Sequence, residues 1–203
     1  MKILALSDQV VEQVYSPAVR ERYPDVDLIL GCGDLPAYYL EYIECQFNVP
    51  LLYVAGNHDP DNFRVPGGQD IDGRVARVRR LTVTGLGGSR RYKADGRNQY
   101  SEAEMHLRLI PILPRLLLRR LRFGHGTDIL LTHAPPKGIH DGPDLAHTGF
   151  AAFQWLIRAV RPRLVLHGHV HLWSGTETRD TQVDGTRILN VFPVRLIDLE
   201  ARQ

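Results

Sequence analysis

Apolar residues along this 203-residue chain come in short blocks, each closed by a polar turn. Lys2–Leu6, Asp27–Leu30, Leu51–Val54, Asp128–Leu131 and Arg163–Leu166 are such blocks. Short continuous apolar runs bounded by turn residues read as strands buried on both faces, as in a parallel sheet. Val75–Val78 and Leu81–Leu86 read as two further strands. Helical spacing appears instead over Pro17–Arg22, Pro36–Phe47, Ser101–Arg122 and Gly149–Val160. Pro36 suits a first helical turn, Ser101 with Glu104 has capping-box spacing, and Pro111 and Pro114 interrupt the third stretch. Asn62–Asp72, with Pro66, Gly67 and Gly68, reads as a loop, and Gly87–Asn98 as a Gly/Arg-rich connection. The tail segments Leu172–Thr178, Thr186–Val191 and Val194–Leu199 read as a small antiparallel meander, with Asp184-Gly185 as a hairpin turn. Strands alternating with helices predict an α/β protein. No repeat or linker divides the chain, so one domain over residues 1–203 is expected.

The residues that close the apolar blocks carry the chemistry. Asp8, Asp34, Asn57, His58, His133, His169 and His171 each stand just after such a run. In α/β sheets the loops at the C-terminal ends of strands build the site. Seven of the nine histidines lie between His125 and His171. Carboxylates and imidazoles together suit divalent first-row ions such as Mn, Fe or Zn. Two such ions close together clamp both oxygens of an in-line phosphoryl displacement. In His169-x-His171 the two rings share a face of extended backbone.

At 43% hydrophobic and 24% charged, the composition is that of a globular chain. A net charge of +2 excludes a strongly basic nucleic-acid tail and an acidic solvating tail. No apolar run approaches the roughly 20 residues of a membrane span. The apolar stretch at the N-terminus is too short for a signal peptide. A cytoplasmic location is therefore expected, with neither a membrane nor a nucleic acid as partner. Two cysteines, Cys32 and Cys45, make no disulfide framework and fit a reducing compartment. Leu116–Leu118 with its flanking arginines has two readings, a membrane-surface helix or an amphipathic helix covering a sheet. The second is expected.

Three further features bear on substrate. Gly85–Arg91 lacks the spacing of a dinucleotide fingerprint and opens no helix. Arg90 and Arg91 are nonetheless planar forks able to hold a phosphate. His147 precedes a predicted helix, where anions are favoured. His167 should face away from His169, while His106, His125, His140 and Asp141 are expected to be structural.

Gly33-Asp34, Gly56-Asn57-His58-Asp59, Thr132-His133 and Gly168-His169-Val170-His171 occur in the order and style of the calcineurin-like metallophosphoesterase superfamily. The chain resembles that superfamily from Asp8 to His171. The resemblance implies a four-layer α/β/β/α sandwich of two mixed sheets. It implies hydrolysis of a phosphoester, a small phosphodiester above all, by metal-activated water with one or two divalent ions. Asp34 would bridge both ions. Asn57, His133 and His169 would complete the second site, and Asp8 and His171 would belong to the first. His58 would be the general acid, or would stabilise charge on the phosphoryl oxygens. One departure stands out: the superfamily's Asp-x-His reads Asp8-Gln9-Val10 here, and valine binds no metal. The second-site ion is therefore expected to be the tighter. Two alternatives remain, a phosphomonoesterase and a non-catalytic assembly scaffold with a degenerate first site. Oligomeric state has no signal in the sequence.

Overall fold

The computed structural model describes residues 1–173 and 177–200. In chain order it forms β1 (Lys2–Leu6), α1 (Val19–Arg22), β2 (Val26–Gly31), α2 (Ala37–Phe47), β3 (Leu51–Tyr53), β4 (Gly68–Asp70), β5 (Val75–Val78), β6 (Leu81–Leu86), β7 (Ser89–Arg90) and β8 (Gln99–Tyr100). There follow α3 (Glu102–Leu109), α4 (Leu113–Phe123), β9 (Ile129–Thr132), α5 (Ala151–Val160), β10 (Leu164–His167), β11 (Asp180–Val183), β12 (Thr186–Asn190) and β13 (Val194–Asp198).

Two mixed sheets organise these elements. The first has the order β13-β1-β2-β3-β4, parallel except for β13. The second has the order β11-β12-β10-β9-β6-β5, with a parallel centre and an antiparallel strand on each edge. Side chains alternate across each strand, which sorts the apolar runs into separate cores. Ile3, Ala5, Leu28 and Leu30 of the first sheet meet Val83, Ile129, Leu131 and Leu166 of the second. Leu4, Leu6 and Ile29 face the other way, onto Tyr39, Leu40 and Ile43 of α2. Leu130, Val165 and Ile188 face outward onto Met105, Leu116 and Phe153 of the three later helices. Three cores thus separate four layers, the sandwich that the resemblance implies.

The departures from the sequence pattern are local. The expected loop 62–72 contains β4, which pairs with β3 from Leu51↔Gly68 to Tyr53↔Asp70. A Cβ at Gly68 would lie 2.9 Å from the Leu51 side chain, so glycine lets this strand close up on β3. The expected tail meander divides. β11 and β12 form the hairpin, turning through Asp184 (φ 49°) and Gly185 (φ 82°) as a two-residue turn requires. β13 instead leaves for the first sheet and pairs antiparallel with β1, Lys2 opposite Asp198. Residues 174–176 of the expected strand 172–178 lie outside the described residues, and Leu172, Trp173, Glu177 and Thr178 form no strand. The stretch 101–122 splits into α3 and α4 around Pro111. The Ser101–Glu104 capping box is present. In α4 only Leu116 is buried, so covering the sheet, the role expected of residues 116–118, falls to Leu116 alone.

Candidate metal centre

Five strands deliver their closing residues to one place. Asp8, Asp34 and Asn57 follow β1, β2 and β3 of the first sheet, and His133 and His169 follow β9 and β10 of the second. Asp8 (φ 63°), Asp34 (φ 56°) and His169 (φ 64°) all have left-handed backbones. Such conformations cost about 1–3 kcal/mol each and persist only where the surroundings fix them. Here the fixing is visible. His169 N–H donates to Asp8 Oδ2 (2.9 Å) and His58 N–H to Asp34 Oδ1 (2.8 Å). Asp59 Oδ2 accepts from Asp34 N–H (2.9 Å) and Gly56 N–H (2.7 Å). Gly56 has to be glycine because a Cβ there would collide with the Asp34 carboxylate and the His133 ring.

The electrostatics are those of a cation site. His133 is fully buried, and its Nδ1 is 2.7 Å from the Cys32 carbonyl. Its Nε2 faces Asn57 Oδ1 at 3.0 Å and Asp34 Oδ2 at 3.2 Å. Burial pushes this imidazole down, but the charge and hydrogen bond of Asp34, with Asp8 behind, outweigh it and raise the ring to about 9. Burial conversely pushes Asp34 up, yet His133 and the His58 N–H draw it down to about 2. A nitrogen and two oxygens therefore converge where only positive charge satisfies them. His169 Nε2 is 2.7 Å from the Ala146 carbonyl, which leaves Nδ1 as its lone-pair atom. Burial, then the charge of His133, holds that ring at about 4, in the neutral form that ligation needs. Donor atoms of Asp34, His133 and His169 all lie within 4.8 Å of one another. The donor set, mixed oxygen and imidazole, fits a divalent first-row ion.

Asp8, Asp34, Asn57, His58, His147, His169 and His171 line a cavity of about 310 Å³, together with Tyr92 and Ala146. His171 lies at its margin, Nε2 3.6 Å from Asp8 Oδ1, its ring stacked on Phe192 at 4.5 Å. His58 is exposed. His147 is oriented by the Asp144 carboxylate, with Nδ1 2.8 Å from Oδ2. Val10 is turned away and packs against the core between the first sheet and α2.

Arg90 and Arg91 are not brought to the cavity. Arg90 pairs with Glu102 and lies over the Phe150 ring, and Arg91 pairs with Glu104 at 2.9 Å. The acids of α3 satisfy both guanidinium groups, which corrects the expected phosphate clamp. His167 is buried on the far side, its Nε2 3.1 Å from His140 Nδ1, and His140 continues to Thr181. Sequence reasoning missed three contributors. Tyr92 OH accepts from Asn57 Nδ2 (3.3 Å), Asp59 holds two backbone N–H groups, and Asn98 Nδ2 donates to the Gly56 and Asp59 carbonyls. Of these, Asp59 alone stands in a recognised motif, Gly56-Asn57-His58-Asp59.

A family model described as calcineurin-like phosphoesterase matches residues 1–172. A protein of Methanocaldococcus jannaschii, described as uncharacterized protein MJ1162, is 27% identical over 190 residues, covering 84% of this chain and 80% of its own. Among solved structures, TT1561 of Thermus thermophilus covers 94% of this chain and 88% of its own, with a TM-score of 0.63 and 18% identity. A second crystal structure covers 98% and 99%, with a TM-score of 0.65 and 13% identity. At these identities the two structures share the fold.

Proposed function

Starting from a chain that belongs to the calcineurin-like phosphoesterase family, and is thus a metal-dependent phosphoester hydrolase, we propose that its substrate is a small phosphodiester. One observation carries this reading. Among the described residues the cavity is lined by Asp8, Asp34, Asn57, His58, Tyr92, Ala146, His147, His169 and His171, with no lysine or arginine. A monoester dianion calls for additional cationic clamps, whereas a diester brings a single negative charge. Arg90 and Arg91, the planar forks read from the sequence as able to hold a phosphate, are paired with Glu102 and Glu104.

Asp34, Asn57, His133 and His169 would hold one divalent ion, and Asp8, Asp34 and His171 a second. Such ions supply Lewis acidity toward phosphoryl oxygens and lower the pKa of water. His58, with its backbone N–H tied to Asp34, presents its ring to the cavity. A ring nitrogen of His58 donates the proton that the leaving oxygen takes up. His147, its Nδ1 held by Asp144, lines the same cavity and would hydrogen-bond a phosphoryl oxygen through its other ring nitrogen. Tyr92 orients Asn57 from the cavity side. Val10 leaves the Asp8 site without the imidazole of the family's Asp-x-His, so an ion there would bind more weakly. Free Cys32 and Cys45 support a reducing, cytoplasmic setting.

Val10 is also the observation that favours a second reading, the non-catalytic scaffold. The test is metal-stripped protein titrated with Mn²⁺, followed by calorimetry and by release of nitrophenolate from bis-p-nitrophenyl phosphate and p-nitrophenyl phosphate. One tight and one weak binding step, and faster diester than monoester turnover, are expected. His58→Ala should lower diester turnover by roughly 10²–10⁴-fold. Faster monoester turnover would refute the diester reading, two equally tight ions would refute the ranking of sites, and binding without any turnover would favour the scaffold.

A further inference from the structure

Helix α4 buries Leu116, packs Leu113 partly against the same core, and leaves Leu117, Leu118 and Leu121 exposed. Leu116 reaches the core, whereas Leu118 is 69% and Leu121 86% exposed. Pro114, Leu117, Leu118 and Leu121 follow the i, i+3, i+4, i+7 pattern of a single helix face. That face points away from the core. Leu107 and Ile110, just before α4, are exposed as well. Scattered exposed leucines need no explanation, but an aligned stripe marks a contact surface.

The charges around the stripe indicate what covers it. By helical spacing, Arg115 and Arg122 flank one edge and Arg120 the other. The helix carries four arginines and no acidic residue. Among the described residues none of these three meets a carboxylate. Arg115 donates to the Val75 carbonyl (3.1 Å), Arg120 to the Ala159 carbonyl, and Arg122 rests over the Phe123 ring. A second copy docked on the same face would set these arginines against one another. Glu102 and Glu104 of α3 are engaged by Arg90 and Arg91 and offer no counter-charge. Nucleic acid would meet the arginines but not the leucines. An anionic bilayer surface answers both, because acyl chains take the stripe and headgroups take the arginines.

We propose that α4 is an interfacial anchor that lays its Pro114–Leu121 stripe into an anionic phospholipid surface. It lies on the membrane and does not cross it: no helix among the described residues is long and apolar enough to span one. The amphipathic helix expected to cover the sheet does so through Leu116, while the exposure of Leu117 and Leu118 favours the membrane-surface reading of the same segment.

The full chain is sedimented with vesicles of phosphatidylcholine alone and of phosphatidylcholine mixed equally with phosphatidylglycerol. It should pellet with the mixed vesicles only, and less so in high salt. The double substitutions Leu118→Glu/Leu121→Glu and Arg115→Glu/Arg122→Glu should each lower partitioning by at least about tenfold. Both variants should keep the native circular dichroism and full turnover of a soluble diester. The proposal is overturned if the wild type stays in the supernatant with both vesicles, or if the leucine variant pellets like the wild type. Light scattering that shows a dimer split by Leu121→Glu, without vesicle binding, would overturn it in favour of a second copy.

Discussion

Asp59 supports the metal centre without lining its cavity, and it offers a quantitative test of how the Asp34 loop is held. One of its oxygens, Oδ2, accepts from Asp34 N–H at 2.9 Å and from Gly56 N–H at 2.7 Å. The residue is 5% exposed, so water cannot readily replace that oxygen. Asp59→Ala leaves two N–H groups without an acceptor. Each unsatisfied buried donor costs about 1–3 kcal/mol, so the variant should lose about 2–6 kcal/mol. In a chain of this length that corresponds to a fall in Tm on the order of 10 °C. Asp59→Asn keeps an oxygen in the same place and loses only the charge assistance, a cost of about 1 kcal/mol. Urea unfolding of chelated protein measures both losses, because chelation removes the contribution of ion binding to the native state. The alanine variant should also bind Mn²⁺ more weakly, since the left-handed Asp34 backbone loses its restraint. An alanine loss below about 1 kcal/mol, or equal losses for alanine and asparagine, would show that this carboxylate does not hold the loop.

Three other expectations concern the frame around the site. Glu104, drawn down to about 2 from 4.5 by its hydrogen bonds to the Ser101 backbone and side chain and to Arg91, stabilises α3 above pH 4.5. Because its folded value is the lower one, this stabilisation should vanish as pH falls from 4.5 to about 2, and Glu104→Gln should flatten the urea midpoint over that window. Gly185 turns the β11–β12 hairpin at φ 82°, so Gly185→Ala should cost about 1 kcal/mol, read as a lower Cm with unchanged m. Arg108 donates from Nη2 to both Asp72 oxygens and from Nη1 to the Gly87 carbonyl (3.0 Å), and lies 4.2 Å from the Tyr100 ring centre. Arg108→Met should cost about 2 kcal/mol by thermal melting, reduced by the partial exposure of the pair, and Arg108→Lys should recover less than half of it.

How far the structure was legible depended on whether a signal was local. Ile3–Leu6 announces a strand covered on both faces, because none of its positions is polar. Asp8, Asn57 and His133 announce the site in the same way, as polar groups where a buried strand surfaces. Gly68-Gln69-Asp70 carries no such signal and becomes β4 only because β3 offers an open edge. Val194–Leu199 alternates like a third meander strand, and the open edge of β1, nearly 200 residues away in the chain, claims its first five residues as β13. Arg90 and Arg91 look like free cations beside glycines until α3 brings Glu102 and Glu104 to them. Tyr92 and Asn98 sit in a connection whose path no periodicity describes. In α4 the pattern shows that one face is apolar, but not that the sheet needs only Leu116 from it.

The donor set straddles two sheets whose faces pack through side chains: Asp8, Asp34 and Asn57 rise from one, His133 and His169 from the other. A cation held among them is a staple between the two halves of the sandwich, and its affinity measures how well those halves are aligned. Trimming Leu30 or Leu131 in the core between the sheets would let one layer settle against the other. Metal affinity then becomes a gauge of interior packing, and side chains that never touch the ion acquire a share in the chemistry.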